Sequence, residues 1–277
     1  MKTTFAVAAD EDGLRLDQVV PRHVAGLSRR KARAVIDLGG VFVDRARVKV
    51  AGRTVRAGQT IEVNVGGALR AEAPPVAQIV YVDEHVIVAD KPAGLVTAPT
   101  PESDRGDLLD QLAHAHGEVY LVHRLDLPTS GLLVFARTRD ANKRLGDAFK
   151  AHAIEREYRA VAIGEVAAQT IDRPVDSRTA ITHVTPLEPL AGATLLAVRL
   201  ETGRTHQIRI HLAGIGHPVA GDTQHGGEAS RTFVPRAPRL ALHAAILGFV
   251  HPASGEHVRF ESALPAELAG WVQRLRR

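Results

Sequence analysis

A single stretch, 123–136, constrains this chain more than any other. It opens with His-Arg-Leu-Asp, passes through a turn-forming Pro-Thr-Ser-Gly at 128–131 and ends in the apolar run 132–136. An apolar run that follows a turn predicts a buried strand, so the turn is held on a rigid scaffold, where chemistry is often found. Asp126 is the reactive side chain on this turn. With Arg124 beside it, its carboxylate is a candidate nucleophile or acid–base group.

Composition excludes several classes of protein. The chain has 277 residues, 45% hydrophobic and 24% charged, which is ordinary for a globular protein of one large domain or two unequal ones. No window approaches 18 consecutive apolar residues, and segment 1–12 turns acidic before a signal-peptide core forms, so we expect a cytoplasmic protein. The absence of cysteine excludes disulfides, thiolate catalysis and zinc fingers. The 14 histidines show no metal-ligand spacing, so we expect no metal site.

The positive charge is concentrated near the N-terminus. Residues 1–70 hold 13 Lys and Arg against 7 Asp and Glu, whereas the remainder holds 22 against 24. A basic module joined to a near-neutral body indicates a polyanionic partner. The alternative is a solvated helix face, which is the usual meaning of a run of charges.

A short amphipathic helix is predicted within this basic module. Ser28 is a plausible N-cap and Gly39 a plausible C-terminal stop, with an apolar stripe between them. Arg29, Arg30 and Arg33 fall largely off that stripe, where they are free to meet phosphates.

Short strands are predicted after the helix. This layout, over about residues 13–65, resembles the small RNA-binding domain named after ribosomal small-subunit protein four. One departure is Asp44-Arg45-Ala46, where that family often has Asn-Gly. The resemblance implies that the arginines of the helix bind RNA. Small residues and a Pro pair then predict a linker at 66–78.

The pattern His-Arg-Leu-Asp-x-x-Thr-Ser-Gly at 123–131 resembles the catalytic motif of the RluA-type RNA pseudouridine synthases, in which the aspartate is essential. The alternative is an aspartate that caps a turn beside a solvated arginine. The resemblance runs from about residue 79 to 262, and its further motifs follow in the expected order at 91–95, 151–161, 200–214, 216–222 and 239–244. A second departure is His225-Gly226, where the family tends to have Tyr-Gly.

The resemblance implies roles for individual side chains. Asp126 would be the catalytic carboxylate, Tyr158 would stack on the target base, and Arg209 would pair with the carboxylate. The alternative for Tyr158 is a ring packed in the core. Arg204 is a second candidate for the partner of Asp126 or a contact for phosphate, and Arg124 would fill the space left by the extruded nucleotide.

The expected fold is α+β, a mostly antiparallel mixed sheet with flanking helices and a central cleft, preceded by the small RNA-binding domain. The domains would be 1–65, the linker 66–78 and a catalytic domain at 79–277. Isomerising uridine to pseudouridine needs no redox change or group donor, so no cofactor is expected.

The expected substrate is RNA, ribosomal RNA before transfer RNA, and the expected state is a monomer. The alternatives are a non-catalytic RNA-binding or ribosome-assembly factor, and a glycosidase-like enzyme. A glycosidase usually needs two carboxylates flanking the bond, and the motif holds one.

Overall fold

A computed structural model describes residues 2–37, 39–65, 76–99 and 107–276 of the chain. Backbone contacts divide the chain into two compact units, residues 1–75 with 98–110 and residues 76–97 with 111–277. Most of the predicted linker at 66–78 lies outside the described residues. None of the helices within the described ranges is long and apolar enough to cross a membrane.

The first unit packs two helices against a small antiparallel sheet, whose strand order is β1-β4-β2-β3. The elements are β1 (Lys2–Ala6), α1 (Leu16–His23), α2 (Arg29–Asp37), β2 (Val41–Val43), β3 (Ala46–Val48) and β4 (Thr60–Asn64). The predicted limits of α2 are confirmed. Ser28 Oγ accepts a hydrogen bond from the Lys31 amide at 3.3 Å, and Gly39 ends the helix with a φ of 78°.

The hairpin between β2 and β3 turns without the Asn-Gly pair. Asp44 and Arg45 take the two left-handed positions, with φ of 49° and 67°. Aspartate tolerates this conformation better than most residues. Its carboxylate also accepts hydrogen bonds from the Thr60 amide and the Gln59 side chain, each at 2.9 Å, which secures the turn.

The second unit is built on one open, mixed sheet of ten strands. Its main order is β10-β11-β12-β9-β13-β8-β6-β5, with β14 paired to β13 and β7 paired to β8. The strands are β5 (Gln78–Val82), β6 (Val86–Lys91), β7 (Tyr120–Leu121), β8 (Ser130–Ala136), β9 (Glu155–Ile163), β10 (Gln169–Asp172), β11 (Ile181–Leu190), β12 (Ala193–Leu200), β13 (Leu242–Val250) and β14 (His257–Glu261). The remaining helices are α3 (Leu108–His116), which contributes to both units, α4 (Arg139–Lys150), α5 (Gln207–Gly214), α6 (Gly227–Thr232) and α7 (Ala266–Leu275).

The fold class expected from the sequence is confirmed by this arrangement. Among the strand pairs of the described residues, β8 with β13 is the parallel one, and the others are antiparallel. β8 is buried along its whole length, as the apolar run predicts.

The start of β8 requires a glycine. At Gly131 φ is 119°, and an added Cβ would overlap the backbone of Ala244 on β13. The Ser-Gly of the 123–136 stretch therefore permits the close parallel approach that carries the preceding loop to the middle of the sheet.

Candidate active site

A cavity of about 730 Å³ opens in the second unit, in front of the loop that precedes β8. Its walls come from five places: the segment 121–129, the end of α4 with the residues up to 152, strand β9, the segment 200–209 that leads into α5, and Leu242 on β13. The cavity brings together five of the side chains predicted from sequence, namely Arg124, Asp126, Tyr158, Arg204 and Arg209. The other three, Arg29, Arg30 and Arg33, belong to α2 of the first unit.

The backbone on both sides of Asp126 is held by the segment that follows β6. The hydroxyl of Thr97 donates to the carbonyl of Leu125 at 2.9 Å and accepts from its amide at 3.2 Å. The amide of Gly94 donates to the carbonyl of Leu127 at 2.8 Å. Asp126 therefore stands on a peptide segment that is anchored immediately before and after it.

Lys91 completes this anchor, and sequence analysis did not single it out. Its ammonium is fully buried and donates to the carbonyls of Leu95 at 2.8 Å, Pro92 at 3.0 Å and Leu127 at 3.4 Å. Burial lowers the pKa of Lys91 to about 7. The negative charge of nearby Asp126 opposes this effect but is the smaller influence. A buried ammonium that bonds three carbonyls fixes the Lys-Pro-x-Gly turn against the loop of Asp126.

Arg209 links Asp126 to a second carboxylate. Its buried guanidinium forms a bidentate pair with Asp222, with both nitrogen–oxygen distances at 2.8 Å, and Nη1 lies 3.4 Å from Oδ2 of Asp126. Arg204 instead donates to the carbonyl of Thr179 at 3.0 Å. Of the two candidates, Arg209 is thus the one that contacts Asp126 in this structure.

Asp222 is a site residue that the sequence reasoning missed. Burial alone would raise its pKa, but the hydrogen bonds from Arg209 and from the amides of His225 and Gln224 lower that pKa to about 2. The Gly221-Asp222 pair carried the only signal, as part of a matching motif without an assigned role. The fixed negative charge of Asp222 holds the Arg209 guanidinium, so Nη1 of Arg209 remains directed at Asp126.

Tyr158 lies in the cavity wall on β9 and is 8% exposed. Burial raises the pKa of its hydroxyl, as does Asp126, while Arg156 opposes them. The sequence offered two readings, a base-stacking ring and a core ring. The side chain is mostly buried and also lines the cavity, so base stacking stays a prediction.

Arg156 is a further cavity residue that sequence analysis missed. It lies two residues before Tyr158, and alternate residues of a strand share a face. Its guanidinium lies over the Phe149 ring at 5.3 Å and donates to the carbonyl of Glu201 at 2.9 Å. An added Cβ at Gly203 would be 2.8 Å from Nη1 of Arg156, so the guanidinium lies close against this glycine.

His123 has a structural role at the start of the loop that carries Asp126. Its Nε2 accepts a hydrogen bond from the Val134 amide at 3.2 Å, and its ring packs on Phe149 with centroids 4.5 Å apart. Burial lowers the pKa of His123 to about 3, so the ring is neutral at physiological pH.

The helix that carries Arg209 begins with an unusual N-cap residue. His206 takes that position in the left-handed conformation, with a φ of 56°. This places the His206 ring beside Asp126, with Nε2 3.8 Å from Oδ2 of the carboxylate. Over the described part of the chain, no three His, Asp or Glu side chains are grouped so as to hold a metal ion.

The basic helix of the first unit differs in one respect from the sequence analysis. Asp17 is fully buried and binds Arg33 at 2.6 Å, Arg15 at 3.2 Å and Arg29 at 3.4 Å. Arg29 and Arg33 are therefore partners of a carboxylate on α1 and not free side chains. A single carboxylate carries one negative charge, so the three arginines around it keep a net positive charge, and their contact with phosphates stays a prediction.

Comparison with known proteins agrees with this architecture. The family described as RNA pseudouridylate synthase matches residues 85–214, and the S4 domain matches residues 14–61. Human RNA Pseudouridylate Synthase Domain Containing 4 shares the fold, with a TM-score of 0.60 and 22% identity over 72% of this chain and 93% of that one. The two units thus have the folds of an RNA-modifying isomerase and a small RNA-binding domain.

Full-length relatives define the family. Ribosomal large subunit pseudouridine synthase D of Nitrosomonas europaea is 36% identical over 294 residues, which cover 95% of this chain and 85% of that protein. The protein of the same name from Escherichia coli strain K12 is 32% identical over 314 residues, covering 100% of this chain and 95% of its own. The chain belongs to the RNA pseudouridylate synthase family and is an isomerase that converts uridine in RNA to pseudouridine. The family, the reaction and the RNA substrate predicted from the sequence are confirmed.

Proposed function

We propose that this protein modifies specific uridines of large-subunit ribosomal RNA, with Asp126 as the nucleophile acting on a nucleotide turned out of its helix. The relatives that match almost the whole chain are named for that substrate, which supports the choice of RNA. The observation that carries the mechanism is the placement of Asp126. Its carboxylate projects into the cavity from an anchored loop and meets Arg209 at 3.4 Å.

The reaction rearranges bonds within one nucleotide. The bond between C1′ and N1 breaks, the base turns, and a bond forms between C1′ and C5; N1 gains a proton and C5 loses one, so the atoms balance without a co-substrate. The carboxylate of Asp126 would attack C1′, remove the proton from C2′ or attack the pyrimidine ring, and each of these steps needs an ionised oxygen held beside the nucleotide. A flipped nucleotide is required because these atoms are shielded in a stacked helix.

The neighbouring side chains suit the remaining tasks. Arg209, fixed by Asp222, would orient the Asp126 carboxylate, and Tyr158 would hold the detached base by its ring and hydroxyl. Arg124 is exposed at the mouth of the cavity and would occupy the gap left by the extruded nucleotide. Arg204 would contact a phosphate.

The remaining parts of the proposal concern the whole chain. Residues 1–65, with Arg30 and its neighbours Arg29 and Arg33, would bind RNA away from the target nucleotide, and residues 79–277 would form the catalytic domain. We also propose that the enzyme acts as a monomer in the cytoplasm.

The test is pseudouridine mapping of total RNA from cells that carry the wild type, Asp126→Asn or no protein. Wild-type cells should show specific converted uridines in large-subunit ribosomal RNA. The purified Asp126→Asn variant should form pseudouridine in vitro at less than about one-thousandth of the wild-type rate, as expected when a nucleophile is lost. Asp140→Asn is the matched control, because this aspartate is exposed on α4. Full conversion by Asp126→Asn would refute the role of Asp126, and sites confined to transfer RNA would refute the substrate.

A further inference from the structure

Two histidines form a hydrogen-bonded pair beside Asp126. His206 Nδ1 and His225 Nε2 are 2.9 Å apart, and the rings meet edge to face with centroids 5.1 Å apart. The other ring nitrogen of His206 lies 3.8 Å from Oδ2 of Asp126. His225, His206 and Asp126 thus contact one another in that order.

The charges around His206 determine which way its hydrogens point. Asp126 faces it from the loop before β8, Arg209 from α5, and Asp222 and His225 from the segment after α5. A carboxylate accepts hydrogen bonds only, so it favours a hydrogen on the near nitrogen, Nε2. Burial lowers the pKa of His206, which leaves the ring neutral near pH 7, although Asp126 opposes this effect. In a neutral ring with its hydrogen on Nε2, Nδ1 must accept, so His225 must be the donor.

The backbone at His206 supports a positional role. Its φ of 56° is left-handed, a conformation that costs a residue with a side chain free energy and often marks a functional constraint. This conformation puts the His206 ring between the start of α5 and Asp126. Position 225 is also where this chain departs from the Tyr-Gly of the family.

We propose that His225 is a positioning residue for the isomerase reaction: it donates a hydrogen bond to His206 and thereby keeps the Nε2–H of His206 directed at Asp126. Arg209 and His206 then both face Oδ2 of the carboxylate, at 3.4 and 3.8 Å. His225 acts only through His206, and this inference rests on the proposed role of Asp126.

A double-mutant cycle in the full-length protein tests this chain of contacts. We expect His225→Leu to lower the single-turnover rate by about tenfold, a coupling typical of residues in contact, with unchanged RNA affinity. His225→Gln should stay within about threefold of the wild type, because its amide supplies a neutral donor at a similar reach. In a His206→Ala background, His225→Leu should have no further effect. His257→Gln, an exposed histidine on β14, serves as the control.

Two results would overturn the proposal. One is an equal loss in His225→Leu and His225→Gln, which indicates a packing role, and the other is an equal effect of His225→Leu with and without His206. Ring ¹⁵N NMR gives a readout that is independent of activity: His206 should carry its hydrogen on Nε2, and the tautomer ratio should shift in His225→Leu. If the wild-type protein shows this tautomer but converts no uridine, the proposed function is refuted while the hydrogen bond between His225 and His206 is not.

Discussion

Asp222 fixes the position of the Arg209 guanidinium, although it does not line the cavity. The carboxylate is 2% exposed and accepts two hydrogen bonds from the guanidinium and two from backbone amides. If Asp222 loses its charge, Arg209 keeps Asp126 as its nearby carboxylate and is drawn toward it. Because a buried arginine without its partner is costly, the stability of the unit depends on this pair.

We therefore predict that Asp222→Asn lowers the free energy of unfolding at pH 7 by about 3 kcal/mol. The pKa of Asp222 is about 2 in the folded protein, below the ordinary 3.8. The stabilisation is present above the ordinary value and disappears as the pH falls toward about 2. Urea denaturation of wild type and variant should show a stability difference that is constant near neutrality and shrinks in that acid range. A constant difference down to pH 2, or an effect matched by exposed Asp140→Asn, would contradict this prediction.

The site residues divide into those that a local pattern reveals and those that it does not. The resemblance implies a role for Asp126, Tyr158 and Arg209 individually, whereas Lys91 and Asp222 lie in matching motifs without an assigned role. Asp222 and Lys91 act by contacts with segments distant in the chain, at Arg209 and Leu127 respectively. Such pairings depend on how the sheet is assembled, and no local periodicity encodes them.

At the scale of elements, two glycines with opposite surroundings provide a matched comparison. Gly131→Ala should prevent stable folding of the second unit, because a Cβ at this left-handed position would overlap the backbone of Ala244. In the described part of the chain, a Cβ at Gly146 in α4 meets no atom within 4 Å. Gly146→Ala should therefore raise the free energy of unfolding by about 0.5–1 kcal/mol, since alanine favours the helix. Thermal and urea unfolding measure both effects, and a tolerated Gly131→Ala would contradict the structure at the β8–β13 contact.

Helix α2 shows how the bounds of an element can be predicted while the partners of its side chains are not. Its cap, its stop and its apolar stripe are local features, and the structure confirms them. The partner of Arg29 and Arg33 is Asp17 on α1, which a pattern within α2 cannot reveal. Burial of Asp17 would raise its pKa, but hydrogen bonds from Arg33, Arg29 and Arg15 lower it, so these arginines join the two helices.

At the scale of the whole molecule, the sequence predicts the class of fold better than the order of strands. Alternation and turn residues indicate the strands near 79–84 and 86–90, which correspond to β5 and β6. The parallel contact of β13 with β8 joins His243 to Ser130, a pairing of distant segments that hydrophobic pattern alone leaves undetermined. The resemblance to a known family supplied the central cleft, which composition did not indicate.

The excess of basic residues in the first unit leads to a prediction about RNA binding. Arg45 and Lys49 are exposed around the β2–β3 hairpin, and Arg30 is half-buried on α2. Each phosphate contact that is lost should reduce the slope of log affinity against log salt concentration by about 0.7–0.9. Alanine at all three positions should therefore weaken binding to ribosomal RNA and flatten that slope by about 2–3.

The control for this variant removes charge elsewhere. Arg274 and Arg276 are exposed at the end of α7 and do not line the cavity, so alanine at both should leave the slope unchanged. Since Asp126 is untouched in either variant, the single-turnover rate at saturating enzyme should match the wild type, and only the concentration needed for saturation should rise. An unchanged slope in the triple variant would mean that these three cations do not contact the phosphates, and the proposed RNA surface of the first unit would have to lie elsewhere on it.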